Sequence, residues 1–131
     1  MFTLKLNTSS RTEILNITPE IRRIITESGL EEGIALVFVP HTTAGITINE
    51  AADPSVVSDI NLKMSQLVPV EATFRHAEGN SDAHIKASLI GSSIQVIVSG
   101  NKLVLGQWQG IFFCEFDGPR RRKAIVKTIA D

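Results

Sequence analysis

Apolar residues at Phe2, Leu4 and Leu6 alternate with Thr3, Lys5 and Asn7, the two-residue period of a half-buried strand. Glu13–Ile17 predicts a second strand, with Ile14 and Leu15 flanked by polar residues. Thr18-Pro19 reads as an N-cap followed by proline at the first helical position. Ile21, Ile24, Ile25 and Ser28 fall on one helical face, and Gly29 is placed to end that helix. Ile34–Val39 is a continuous apolar run rich in β-branched residues, which predicts a strand covered on both faces. His41–Gly45 interrupts it, and alternation resumes over Ile46–Asn49. Asp53-Pro54 repeats the cap-and-proline signal, and Val56, Val57, Ile60, Met64 and Leu67 form the stripe of a second helix ending near Pro69. Val70 to Ser81 has no period, and Asp82 is placed to cap a short third helix stopped by Gly91. The runs Ile94–Val98, Lys102–Leu105, Gly110–Phe116 and Lys123–Ala130 predict four strands joined by short connections. Together these elements predict an α+β fold: a mainly antiparallel, jelly-roll-like β-sandwich with two to three flanking helices.

At 131 residues the chain has the length of a single domain, 1–131, without an internal repeat or linker. With 43% hydrophobic and 21% charged residues it is too apolar and too evenly charged for a disordered chain. A formal net charge of −1 gives no global field to draw it onto nucleic acid or an anionic membrane. No apolar run approaches the roughly 20 residues that span a bilayer, and the first residues lack a signal-peptide pattern. One cysteine, Cys114, cannot form an internal disulfide, so a reducing, cytoplasmic setting is expected. Without tyrosine and with Trp108 alone, there is no stacking platform for single strands of nucleic acid.

Chemistry concentrates where periodicity stops. His41 stands where an apolar strand gives way to a polar turn, and His76 and His84 bracket an aperiodic segment containing Glu78 and Asp82. Imidazole and carboxylate side chains in this grouping suit zinc or a similar divalent ion, although a spacing of eight matches no standard zinc pattern. Solvated loop histidines are the plainer alternative. Glu50 and Asp53 follow the strand that leaves His41 and are expected near the same strand end, in a pocket able to bind a cation or run acid–base chemistry. Asp53 also serves as the helix cap; Glu50 has no such role. Arg120, Arg121, Arg122 and Lys123 place four positive charges in succession, suited to phosphate oxygens or simply to a solvated hairpin end. Trp108 and Gln109, between Gly106 and Gly110, either line a pocket or pack at the core edge. Cys114 reads as a buried small hydrophobe rather than a nucleophile. Its neighbour Glu115, a carboxylate among aromatic residues, needs a partner or a pocket to face.

Four segments carry a resemblance: His41-Thr42-Thr43; Asn49-Glu50-Ala51-Ala52-Asp53-Pro54; His76 through Ser88; and Leu105-Gly106-Gln107-Trp108-Gln109-Gly110-Ile111. In order and spacing they resemble the YjbQ-like family, whose members are described as secondary thiamine-phosphate synthases. The resemblance covers essentially the whole chain and implies an antiparallel sandwich assembled as a homotrimer. It implies a polar pocket where His41, His76 and His84 gather around a divalent metal, zinc by ligand type. Glu50, Asp53, Glu78 and Asp82 are the carboxylates carried over, with Glu50, Glu78 and Asp82 as catalytic candidates. Arg120, Arg121 and Arg122, with Trp108 and Gln109, are the candidates for holding a phosphorylated small molecule. The implied reaction joins a pyrimidine diphosphate to a thiazole phosphate, releasing pyrophosphate. Two alternatives use the same residues: a zinc-dependent hydrolase with Glu50 or Glu78 activating water, and a non-catalytic binder of a phosphorylated metabolite.

Overall fold

The fold was obtained as a computed structural model that describes residues 1–71 and 73–131; Ala72, within the aperiodic stretch 70–81, lies outside them. The elements run β1 (Phe2–Asn7), β2 (Glu13–Asn16), α1 (Thr18–Ser28), β3 (Glu32–Phe38), β4 (Ala44–Glu50), α2 (Pro54–Leu67), α3 (Ser81–Ile90), β5 (Ser93–Ser99), β6 (Lys102–Leu103), β7 (Gln109–Glu115) and β8 (Arg121–Ala130). They form two antiparallel sheets, a five-stranded one ordered β1-β8-β3-β5-β6 and a three-stranded one ordered β2-β7-β4. The α+β class, the antiparallel pairing and the three helices agree with the sequence reading.

Both sheets and α1 share one core. Leu4, Val37, Val96 and Val126 of the larger sheet meet Ile46, Ile111 and Phe113 of the smaller, with Ile21, Ile24 and Ile25 of α1 completing the cluster. Gly29 ends α1 in the left-handed conformation at φ 71°, donating its amide to the Thr26 carbonyl. Thr18 is not the cap. Ile17 occupies that position, and the Thr18 hydroxyl instead donates to Asn16 Oδ1 at 2.6 Å and accepts from the Ile111 amide at 2.8 Å, tying α1 to β7.

The strand covered on both faces is β7, not β3. Ile111 and Phe113 enter the main core, while Cys114 and Phe116 pack under Ala83 and Ala87 of α3. In β3 the residues alternate: Ala35 and Val37 are buried, Ile34 and Leu36 only partly, and Phe38 is 41% exposed. Among the described residues no helix covers the outward face of β3, so a continuous apolar run here does not mean two-sided burial. Asp53 caps α2 as expected, accepting from the Ser55 amide at 2.9 Å. Yet no residue of α2 is buried, and its apolar stripe stays half-exposed. Asp82 does not cap α3: Asn80 precedes the helix, and Asp82 lies buried in its first turn.

Candidate functional site

His41 is placed by the end of β3. In register Phe38 stands opposite Ile125 of β8, so the ladder stops two residues before Lys123 would find its partner. The Lys123 amide donates instead to His41 Nε2 at 3.0 Å. A backbone amide can only donate, so the Nε2 lone pair is occupied and the neutral ring carries its proton on Nδ1. Burial and the nearby Arg122 charge lower the His41 pKa from its ordinary 6.5, with the Glu115 charge opposing them. His41 is therefore a neutral Nδ1–H donor at neutral pH, standing in the wall between two clefts.

The first cleft, of about 370 Å³, is bordered by His41, Thr43, Glu78, Asn80, His84, Asp117 and Arg120. His84, on the first turns of α3, reaches it beside His76, the two rings meeting edge to face with centroids 5.4 Å apart. Glu78 lies on the rim, 3.7 Å from His76 Nε2. Asp117 accepts from Asn80 Nδ2 at 2.8 Å and from Arg120 Nη2 at 3.0 Å, and Arg120 Nε also bonds the Asp117 carbonyl. Burial pulls the Asp117 carboxyl upward, but these hydrogen bonds and the charges of Arg120 and Arg11 outweigh it and hold it below its usual range.

The second cleft, of about 670 Å³, is bordered by Thr3, Lys5 and Asn7 of β1, Arg121 and Lys123 of β8, and His41. Lys5 and Lys123 are directly opposite in the β1–β8 register and both exposed. Among the described residues neither they nor Arg121 lie within 4.0 Å of a carboxylate. Like charges facing one another across a ladder are unfavourable unless something negative sits between them.

Alternation along β8 divides the basic run. Arg121 and Lys123 point outward, whereas Arg122 is buried and holds Glu115, itself 0% exposed. Arg122 Nε lies 3.0 Å from both Glu115 oxygens, Nη2 lies 2.5 Å from Oε2, and the same Nη2 donates to Thr43 Oγ1 at 2.8 Å. The Thr8 hydroxyl donates to Glu115 at 2.6 Å, and the amides of Phe116 and Asp117 donate at 3.1 and 3.4 Å. Gly118 is required beside it, since a Cβ there would fall 2.2 Å from the Ser10 carbonyl oxygen. Arg122 is thus committed to a buried ion pair rather than free for phosphate, and Glu115 faces this partner, not a pocket.

Asp82 is likewise structural. It is buried, accepting from Arg11 at 2.9 Å and from the buried Lys86 at 3.3 Å. Glu50 and Asp53 do not join His41: β4 runs between them, and the six residue steps from Ala44 to Glu50 span about 20 Å. Trp108 and Gln109 sit at that far end, where Gln109 pairs with Glu50 and the Trp108 ring is 58% exposed. Burial pushes the Cys114 thiol up to about 12, in keeping with an inert cysteine. Among the described residues no three histidine, cysteine, aspartate or glutamate side chains are placed to hold a metal ion, and the Nε2 of His41 is already engaged. The three histidines border one region but do not form a ligand set as they stand. Lys5, Asn80 and Asp117 were not marked by the sequence; only strand register and the meeting of loops bring them in.

Fold and site define a small two-sheet α+β protein with paired polar clefts at one end of its sandwich. The chain belongs to the family described as UPF0047 protein YjbQ-like, whose sequence profile matches residues 2–131. It is 56% identical over 131 residues to a UPF0047 protein of Methanocaldococcus jannaschii, covering 100% of this chain and 95% of that one. It is 49% identical to the UPF0047 protein YugU of Bacillus subtilis, with 97% of each chain covered. A crystal structure of an uncharacterized conserved YjbQ/UPF0047 protein from Clostridium acetobutylicum superposes with a TM-score of 0.96 at 52% identity, covering 98% of this chain and 100% of that one. A YbjQ-like protein of unknown function from Sulfolobus solfataricus gives 0.94 at 32% identity, with 99% and 96% covered.

Proposed function

We propose that the two clefts flanking His41 bind phosphorylated small molecules. The observation that carries this reading is the facing pair Lys5 and Lys123, with Arg121, in a cleft where none has a carboxylate partner among the described residues. A phosphate dianion relieves their repulsion and gains charge-assisted hydrogen bonds. The first cleft offers Arg120 and the Nδ1–H of His41 to another anionic group. Two anion sites sharing one wall suit the joining of a pyrimidine diphosphate to a thiazole phosphate. There the thiazole nitrogen bonds to the pyrimidine's exocyclic carbon, the carbon–oxygen bond breaks, and pyrophosphate departs with the electron pair. Lys5, Arg121 and Lys123 would receive the growing charge on that leaving group, and the donors of the first cleft would orient the other phosphate. The zinc-hydrolase alternative has less support, since Glu50 stands at the other end of β4 and the described residues offer no ligand set.

Titration calorimetry with pyrophosphate tests the reading. Lys5→Ala and Arg121→Ala should each weaken binding about tenfold or more, the loss of one charge-assisted bond. Lys5→Ala should also leave the unliganded protein equally or slightly more stable, because it removes a like-charge pair. A parent that does not bind pyrophosphate, or variants that bind it as well as the parent, would sink the proposal. Mass spectrometry of the two substrates incubated with the parent then reads the condensation directly.

The outward face of the larger sheet suggests self-association, in line with the homotrimer that family resemblance implies. Ile97, Ile34 and Ile129 stand side by side in register across β5, β3 and β8, and Phe38 adjoins Ile125 in the same way. Ile97 is 62% exposed and Ile129 47%, and such a contiguous apolar row is characteristic of a contact surface.

A further inference from the structure

A third cleft, of about 370 Å³, shares His41, Thr42 and His84 with the first and extends from them over the junction of α3 and β5. Small residues shape it. α3 gives way at Gly91, whose carbonyl accepts the Ile46 amide at 3.0 Å, and the Ser92 carbonyl accepts the Val39 amide at 2.7 Å. This close approach to β4 depends on Gly45, where a Cβ would fall 2.7 Å from the Gly91 carbonyl oxygen. On the open side of the junction a Cβ at Gly91 would meet no atom within 4 Å. The buried Ala44 and Ala87 supply hydrocarbon at the floor, and the exposed Thr42, Ser88 and Ser92 set hydroxyl groups around the rim. Apart from the two shared histidines, no ionisable side chain among the described residues borders this cleft. The other two are charged: Glu78, Asp117 and Arg120 border the first, and Lys5, Arg121 and Lys123 the second. A ligand whose phosphate is held by Arg120 and the His41 Nδ1–H therefore has two neighbouring clefts for the rest of its structure, one cationic and one uncharged. A charged group entering the third cleft loses water and finds no opposite charge there, whereas an uncharged group gains apolar contact and hydroxyl partners.

We propose that the third cleft receives the organic body of the phosphorylated ligand held beside Arg120, and that this body is an uncharged heterocycle. Such a ring lays apolar faces on Ala44, Ala87 and the imidazoles and turns its heteroatoms to the hydroxyls of Thr42, Ser88 and Ser92. The proposal rests on the phosphate reading above and adds to it the class of the group that the phosphate carries.

Three probes titrated calorimetrically into the full chain at neutral pH test it: methyl phosphate, which has no body to place, 3-pyridylmethyl phosphate, and phosphoglycolate, whose body is a carboxylate. In the parent, the pyridylmethyl ester should bind about tenfold more tightly than methyl phosphate. Phosphoglycolate should show no such gain. Ser88→Phe and Ser92→Phe each fill the cleft from an exposed position, and Ser88 bonds back to its own helix, donating to the His84 carbonyl at 3.0 Å. In at least one of them the ratio of pyridylmethyl to methyl phosphate affinity should fall to about one while methyl phosphate binds as in the parent; either variant serves if the other fails to fold. Equal binding of these two esters in the parent overturns the role of the third cleft and leaves the phosphate reading standing. A preference that survives both substitutions, or phosphoglycolate binding as tightly as the pyridylmethyl ester, also overturns it. No binding of any of the three probes removes the phosphate reading and this inference together.

Discussion

Arg122→Met separates a ligand-binding arginine from a structural one. The side chain it removes makes three close contacts with the Glu115 carboxylate and one with the Thr43 hydroxyl. Methionine fills similar volume without a charge, so the Glu115 carboxylate is left with only the Thr8 hydroxyl and the amides of Phe116 and Asp117 as donors. Breaking one side of a buried ion pair costs about 3–5 kcal/mol. The three remaining donors place this case near the lower end, about 3 kcal/mol. On a domain of this size that is a fall in Tm of roughly 10 °C. Charge removal on both sides, in Glu115→Gln combined with Arg122→Met, should cost less than Arg122→Met alone, because no carboxylate is then stranded. Arg121→Met, one residue earlier and exposed, should stay within about 0.5 kcal/mol of the parent. Urea unfolding followed by far-ultraviolet circular dichroism reads all four proteins. An Arg122→Met variant within about 1 kcal/mol of the parent that had lost pyrophosphate binding would refute the structural role and return Arg122 to the ligand.

His41 favours its neutral form in the fold, so its contribution to stability is present above the ordinary pKa of 6.5 and is lost as pH falls through the lowered value. Urea midpoints between pH 7.5 and 5 should therefore decline less in His41→Gln than in the parent; parallel declines would count against the neutral Nδ1–H assignment. Ile97→Glu places a charge in the row formed with Ile34 and Ile129, and light scattering should show the parent as a multiple of the chain mass and the variant as a monomer. A parent monomeric at every concentration measured would remove the self-association proposal.

Periodicity reports which side of an element a residue faces, and that part of the fold was legible. β1 alternates as written, α1 buries Ile21, Ile24 and Ile25, and Gly29 and Asp53 act at their helix ends. What periodicity does not report is what lies over a face. Ile34–Val39 and Gly110–Phe116 are both long apolar runs, yet only the second has α3 packed on its outer side. The first presents its second face outward instead, so the same pattern that reads as a buried strand here leaves Ile34 and Leu36 only partly covered and Phe38 exposed.

The candidate site divides along a similar line. Residues close in sequence seemed close in space, but a strand separates its two ends by its whole length: β4 carries Glu50 about 20 Å from the turn that holds His41. Register does the reverse, bringing Lys5 against Lys123 across 118 positions of sequence, a pairing no local pattern encodes. The run Arg120 to Lys123 then resolves by parity alone. A period of two sends Arg121 and Lys123 to one face and Arg122 to the other, where it pairs with Glu115. The buried member fixes β8 against β7, which sets the position of the two outward members. In this arrangement the ion pair that engages Arg122 is also what holds Arg121 and Lys123 in place on the outer face.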